Sequence, residues 1–223
     1  VADELPAAGI VAVVDLAVPL DAMPEGEGRL RQRVSGPMLT APQGYPTQTW
    51  GVGGYGLELS TPQEGIAAVE QVVAAGAGVI KLPFTGTALL DDATVTAIVD
   101  AAHGRGLLVA AHAMDDEQVL RAAQLGADIL AHTPTQAMSP ESLDAWSERT
   151  VISTLAAFGT DSDALVNLAA MKARGTRILY GTDLGNSREV GISPSEIDAL
   201  LEVGLSGSEI IESATRAPAL LWN

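Results

Sequence analysis

The sequence predicts an α/β fold, a (β/α)₈ TIM barrel whose first strand is missing from this chain, and three observations predict it. Short Val/Ile/Leu runs alternate with Ala-rich amphipathic segments, the rhythm of parallel βα units. These runs are apolar on both faces, as strands buried between helices and a barrel interior must be. The first run ends in Val14-Asp15-Leu16-Ala17, without the Gly-rich phosphate turn an open doubly wound sheet normally carries there. Residues 1–223 are expected to form a single barrel domain.

Seven segments read as strands: Gly9–Ala17, Arg33–Leu39, Gly78–Pro83, Gly106–Ala111, Ala127–Ala131, Val151–Ala156 and Arg177–Gly181. A barrel closes with eight, so one strand is unaccounted for. Thr61-Pro62-Gln63-Glu64 and Ser193-Pro194-Ser195-Glu196 read as capping boxes with proline at the first helical position. Ser139-Pro140 and Asp115-Asp116 open two further helices. Gly104, Gly126, Gly175 and Gly204 stand where a left-handed residue would end one. The least regular stretches, Asp21–Arg33 and Thr40–Ser60, are rich in Gly and Pro and read as long loops, which in compact domains often carry function.

Composition narrows the chemistry. At 47% hydrophobic and 18% charged residues, the chain can bury a large core. Its net charge of −16 repels phosphate backbones and anionic lipid, so neither nucleic acid nor a membrane is an expected partner. No apolar run approaches the ~20 residues needed to span a bilayer, and a cytoplasmic location is expected. A small-molecule substrate is the expected partner, and a homo-oligomer is compatible with the sequence. There is no cysteine, which excludes disulfides, thiolate nucleophiles and thiolate metal sites.

Three strand candidates end in a residue able to bind metal: His112, His132 and Asp183. His132 follows His112 by 20 residues, about one βα unit, and Asp183 lies 51 further on. In a barrel such positions converge at the C-terminal rim, where this fold keeps its active sites. Lys81 joins them as a lysine inside the apolar run Val79-Ile80-Lys81-Leu82. Each has a plainer reading: a strand-end histidine can be hydrogen-bonded structure, the aspartate a helix cap, the lysine a snorkelling side chain. The joint pattern favours the site, because two of only three histidines occupy equivalent positions of adjacent units. The third, His103, ends a helix, where a cation meets the helix dipole, and reads as structural.

Other candidates are weaker. Gly51-Val52-Gly53-Gly54-Tyr55-Gly56 lacks the strand-to-helix setting of a phosphate cradle and reads better as a substrate loop. Tyr45, Trp50 and Tyr55 lie in that loop, as a substrate wall or as packing across the barrel mouth. Ser153 and Thr154 read as strand residues with no histidine base nearby, against a serine nucleophile. Asp15 reads as a structural hydrogen-bonding group near the site.

Taken together, Ala8-Gly9-Ile10-Val11-Ala12-Val13-Val14-Asp15, Ser35-Gly36-Pro37, Gly78-Val79-Ile80-Lys81, Ala111-His112-Ala113, Ala131-His132-Thr133, Gly181-Thr182-Asp183 and Ala214-Thr215-Arg216-Ala217-Pro218 resemble the amidohydrolase superfamily. The likeness is to its imidazolonepropionase-like and Xaa-Pro-dipeptidase-like branch. The resemblance implies a hydrolase that cleaves an amide or cyclic amide C–N bond with metal-activated water. It implies divalent ions as cofactors, one or two per chain, zinc first, with Mn, Co or Fe as alternatives. Lys81 would be carboxylated and bridge two ions, since a free ammonium cannot ligate a cation whereas a buried neutral amine can add carbon dioxide. His112 and His132 would hold one ion. Asp183 would touch the other and act as the catalytic base.

One departure stands out. The family's first strand carries a His-x-His pair, and this chain has none. Gly9–Ala17 matches the family's second strand, so counting strands and counting ligands expose the same gap. Either residues upstream of Val1 supply strand and ligands, or one metal site has been lost. In the second case a degenerate, non-hydrolytic barrel that binds a ligand or partner is the competing function.

Overall fold

A computed structural model describes residues 3–24, 28–158, 163–187 and 190–222. In chain order the elements are α1 (Glu4–Ala7), β1 (Ala12–Asp15), a 3₁₀ turn (Leu20–Ala22), β2 (Arg31–Val34), β3 (Met38–Thr40), β4 (Gly56–Glu58), α2 (Pro62–Ala74), β5 (Ile80–Pro83), α3 (Asp92–Gly104) and β6 (Val109–His112). There follow α4 (Asp116–Gln124), β7 (Ile129–Leu130), α5 (Pro140–Ala145), β8 (Thr150–Ile152), α6 (Leu155–Phe158), α7 (Ala164–Ala173), β9 (Arg177–Leu179), α8 (Pro194–Glu202), α9 (Gly207–Ala214) and α10 (Arg216–Trp222). No helix among the described residues is long and apolar enough to cross a membrane.

The contacts group the chain into two compact units. The first, Val11–Ala113 with Arg121–Asp128, holds three parallel pairs, β1–β2, β3–β4 and β5–β6. Its helices bury faces at helical spacing: Gly65, Ala68, Val69 and Val72 on α2, Val95, Ile98, Val99 and Ala102 on α3. Gly65 sets their approach, because a Cβ there would stand 2.8 Å from Ile98 Cγ1. Burying a Val or Ile side chain contributes ~1.5–3 kcal/mol, so this seam is a principal source of the unit's stability.

The second unit, Val1–Ile10, Met114–Leu120 and Ile129–Asn223, carries β7, β8 and β9 in parallel, with Leu130 opposite Val151 and Val151 opposite Ile178. Fully buried Trp146 anchors it, its indole N–H donating to the Val119 carbonyl at 2.9 Å.

The strands are parallel and the class is α/β, as the alternating pattern predicts, but the described residues hold nine strands rather than seven. The predicted strand Arg33–Leu39 is two, β2 and β3, divided at Ser35-Gly36-Pro37. Gly36 takes φ +71° there and Pro37 has no N–H for a ladder. The predicted loop Thr40–Ser60 contains β4, which pairs with β3; residues 25–27 of the other loop lie outside the described residues. The predicted strand Val151–Ala156 stops at Ile152, since Thr154 turns to φ +46° and Leu155 begins α6. Of the predicted helix-ending glycines, Gly126, Gly175 and Gly204 have positive φ, but Gly104 remains inside α3 and Gly106 takes that role.

Candidate active site

Lys81 and His112 come from the paired strands β5 and β6 of the first unit. In the parallel register Lys81 lies opposite Ala110, and Pro83 opposite His112. Both side chains are buried, at 1% and 6% exposure. Burial, and then the Lys81 charge, push the His112 imidazole down to about 3, so it is neutral at ordinary pH. That is the protonation state a metal ligand needs. Asp15 closes β1 nearby and accepts from the Ala17 N–H at 3.1 Å. Its carboxyl is exposed by area but ringed by enough protein that burial pushes it up, opposed by that N–H and by Lys81.

The loop after β3 reaches this cluster. The Tyr45 ring stacks on His112 with centroids 4.7 Å apart and planes 21° from parallel. Trp50 donates its indole N–H to the Tyr45 hydroxyl at 2.8 Å and meets Tyr55 edge-on at 5.5 Å. The three aromatics form a connected wall whose inner member lies on a candidate ligand. Gly56 belongs to β4 and leads into a strand rather than a helix, against a phosphate cradle.

In the second unit His132 follows β7 and is buried at 7% exposure. Its Nδ1 lies 3.1 Å from Thr154 Oγ1, and its ring meets Phe158 edge-on at 4.8 Å. A hydrogen bond at one ring nitrogen fixes the orientation of the imidazole and the tautomer it favours. This corrects the expectation that Ser153 and Thr154 have no histidine nearby: they lie past the end of β8, in the turn that carries Thr154 back to His132. Asp183 follows β9, half-buried, at φ +49°, and its carbonyl accepts from the N–H groups of Asn186 and Ser187 at 3.1 and 2.9 Å. Gly181, two residues before it, is required by packing, because a Cβ there would collide with Ile152.

His103 is structural: its Nε2 bonds Asp128 at 2.9 Å, and the same carboxylate accepts from the Val109 N–H. The structure thus brings Lys81, His112 and Asp15 together in one unit and places His132 and Asp183 in the other. Among the described residues no three His, Cys, Asp or Glu side chains gather into a metal-holding group. Within the first unit, buried and neutral His112 lies on the strand beside the one that carries buried Lys81; in the second, buried His132 has its Nδ1 engaged by Thr154.

The depressed His112 value has a thermodynamic consequence. Unfolded, His112 takes a proton near its ordinary 6.5; folded, only near 3. Between these the unfolded chain holds one proton more, so stability falls as pH drops through that window, by about 1.4 kcal/mol per pH unit from this group. In chelator-treated protein, His112→Gln should flatten the urea midpoint against pH between 6.5 and 4 relative to wild type. Parallel curves would show that His112 titrates alike folded and unfolded.

No protein-family model matches the chain, and no curated protein is significantly similar to it in sequence. Solved structures do match. A Xaa-Pro dipeptidase with bound methionine in its active site superposes with TM-score 0.78 at 23% identity, over 96% of this chain and 64% of that one. A structure named as an amidohydrolase gives 0.72 at 24%, over 96% and 64%. Ochratoxinase from A. niger gives 0.74 at 20%, over 95% and 61%. The chain spans less than two-thirds of the length of each. In fold, the chain resembles these solved hydrolase structures.

Proposed function

We propose that this chain is the greater part of a metal-dependent hydrolase, a partial TIM barrel that cleaves an amide or cyclic amide C–N bond in a small molecule. The observation that carries the reading is a buried lysine beside a buried neutral histidine on adjacent parallel strands. A second oriented histidine and an aspartate follow two other strands. His112, His132 and Lys81, the last as its carbamate, would hold the divalent ion, zinc first among candidates. The ion, when bound, lowers the pKa of water and polarises the scissile carbonyl. Asp183 takes the proton of the attacking water, the oxygen adds to the carbonyl carbon, and the C–N bond breaks as that proton passes to the leaving nitrogen. Tyr45 and Trp50 wall the substrate on the His112 side. Tyr45 also holds the imidazole plane by stacking, a contact of about 0.5–1.5 kcal/mol.

Elemental analysis tests the reading. Wild type should retain close to one or two equivalents of divalent metal through gel filtration, while His112→Ala and His132→Ala retain far less. Equal, negligible metal in all three would leave a barrel that binds a ligand or partner without hydrolysing it.

A further inference from the structure

Glu196 is the third residue of α8 and is completely buried. Its sequence setting calls for a capping box, with the Glu196 carboxylate returning to the Ser193 N–H. Half of that box forms: Ser193 Oγ accepts from the Glu196 N–H at 3.3 Å. The other half does not, because the Ser193 N–H donates to the Tyr180 hydroxyl at 2.7 Å. The Glu196 carboxyl is directed elsewhere, and its Oε2 accepts from the Ala156 N–H at 2.7 Å. Burial pushes this carboxyl up, against the Ala156 N–H, the Ser153 hydroxyl and the Leu155 N–H. The latter two act from nearby, since Oε1 has no full hydrogen bond among the described residues. A solvent-facing capping box would serve the helix without the cost of burying an acid, so the carboxyl's place is set by what it holds.

It holds the turn from β8 into α6. Thr154 in that turn takes φ +46°, a strained conformation for a β-branched residue that persists only where its surroundings dictate it. On the strand side the turn is tied by Ser153 N–H to the Leu179 carbonyl at 2.8 Å and by Thr133 Oγ1 to the Ser153 carbonyl at 2.8 Å. On the helix side the tie is Glu196. Two groups that contact His132, the Thr154 hydroxyl and the Phe158 ring, come from this segment.

We propose that Glu196 is a positioning residue: by anchoring Ala156 it fixes the Thr154 hydroxyl and the Phe158 ring, and through them the plane and tautomer of His132. The proposal deepens the hydrolase reading, and rests on it only in treating His132 as a working residue.

Nitrogen NMR of the imidazoles in chelator-treated protein tests it. With three histidines, each signal is assigned by a single His→Gln change. Wild-type His132 should be one neutral tautomer with the proton on Nδ1. Glu196→Gln keeps an acceptor for the Ala156 N–H and should keep that spectrum. Glu196→Ala should move His132 toward the mixed tautomers of Thr154→Val, with His103 and His112 unmoved, a selectivity that general loosening would not give. Zinc affinity of Glu196→Ala should then fall ~10–100-fold. A folded Glu196→Ala protein with the wild-type His132 spectrum overturns the proposal. Should that variant not fold, Glu196→Asp, one methylene shorter, must show the same selective shift, and an unmoved His132 overturns it equally. Wild type that binds no zinc defeats the hydrolase reading alone, because the His132 shift is read without metal.

Discussion

Asp183→Asn should lower turnover of an amide substrate by roughly 10²–10⁴-fold, the range for loss of a general base. The exchange suits this position for a backbone reason. Asp183 sits at φ +49°, where Asp and Asn are tolerated and most other residues are strained. Asp183→Ala would confound lost chemistry with a strained turn. Asn keeps the conformation, the size and the backbone bonds that Asn186 and Ser187 make to the Asp183 carbonyl. The fold should survive the exchange. A panel of N-acyl amino acids, dipeptides and cyclic amides comes first, to find a substrate. If the variant then turns it over at near wild-type rate with metal still bound, another group is the base.

The four residues proposed for this chemistry stand out in the sequence because each breaks a local rule. Lys81 interrupts an apolar strand, and His112, His132 and Asp183 close apolar runs with metal-binding side chains. The helix starts at Thr61, Ser139 and Ser193 were legible for a similar reason, since a cap is a contact across three residues. What escaped is what depends on distant partners. Strand β4 is three residues in a Gly-rich loop and exists through its pairing with β3. Thr154 read as strand because it follows the apolar, β-branched pair Val151-Ile152; the ties that Ser153 makes to Leu179 and Thr133, and Ala156 to Glu196, join distant residues around the turn that carries it to His132. Glu196 read as half of a capping box, and no local pattern says that Tyr180 will occupy the Ser193 N–H. Tyr45 was noted as a candidate wall, but its stacking on His112 joins residues 67 apart in sequence.

Lys81→Met should separate chemistry from architecture most sharply. Lys81 is 1% exposed between Ile80 and Leu82, both essentially inaccessible. Met matches its length without the amine, but it removes the charge that faces Asp15, and losing one partner of a charge pair destabilises. The thermal midpoint should therefore fall by what that charge contributes, with the packing kept. Metal affinity should fall by more than the roughly 10–100-fold that follows loss of an outer partner, because a proposed ligand itself is removed, and turnover should fall with it. The same variant reports the charge state of Lys81 through its neighbour. As an ammonium, Lys81 helps depress the His112 imidazole, so its removal should let the His112 value rise from about 3. As a carbamate it would be an anion favouring His112 protonation, and its removal would move His112 the opposite way. Titrating His112 by NMR with and without bicarbonate, in wild type and Lys81→Met, should show a bicarbonate-dependent shift in wild type alone. A Lys81→Met protein with wild-type metal content and turnover would remove Lys81 from the site, leaving the two histidines and Asp183 to account for any hydrolysis.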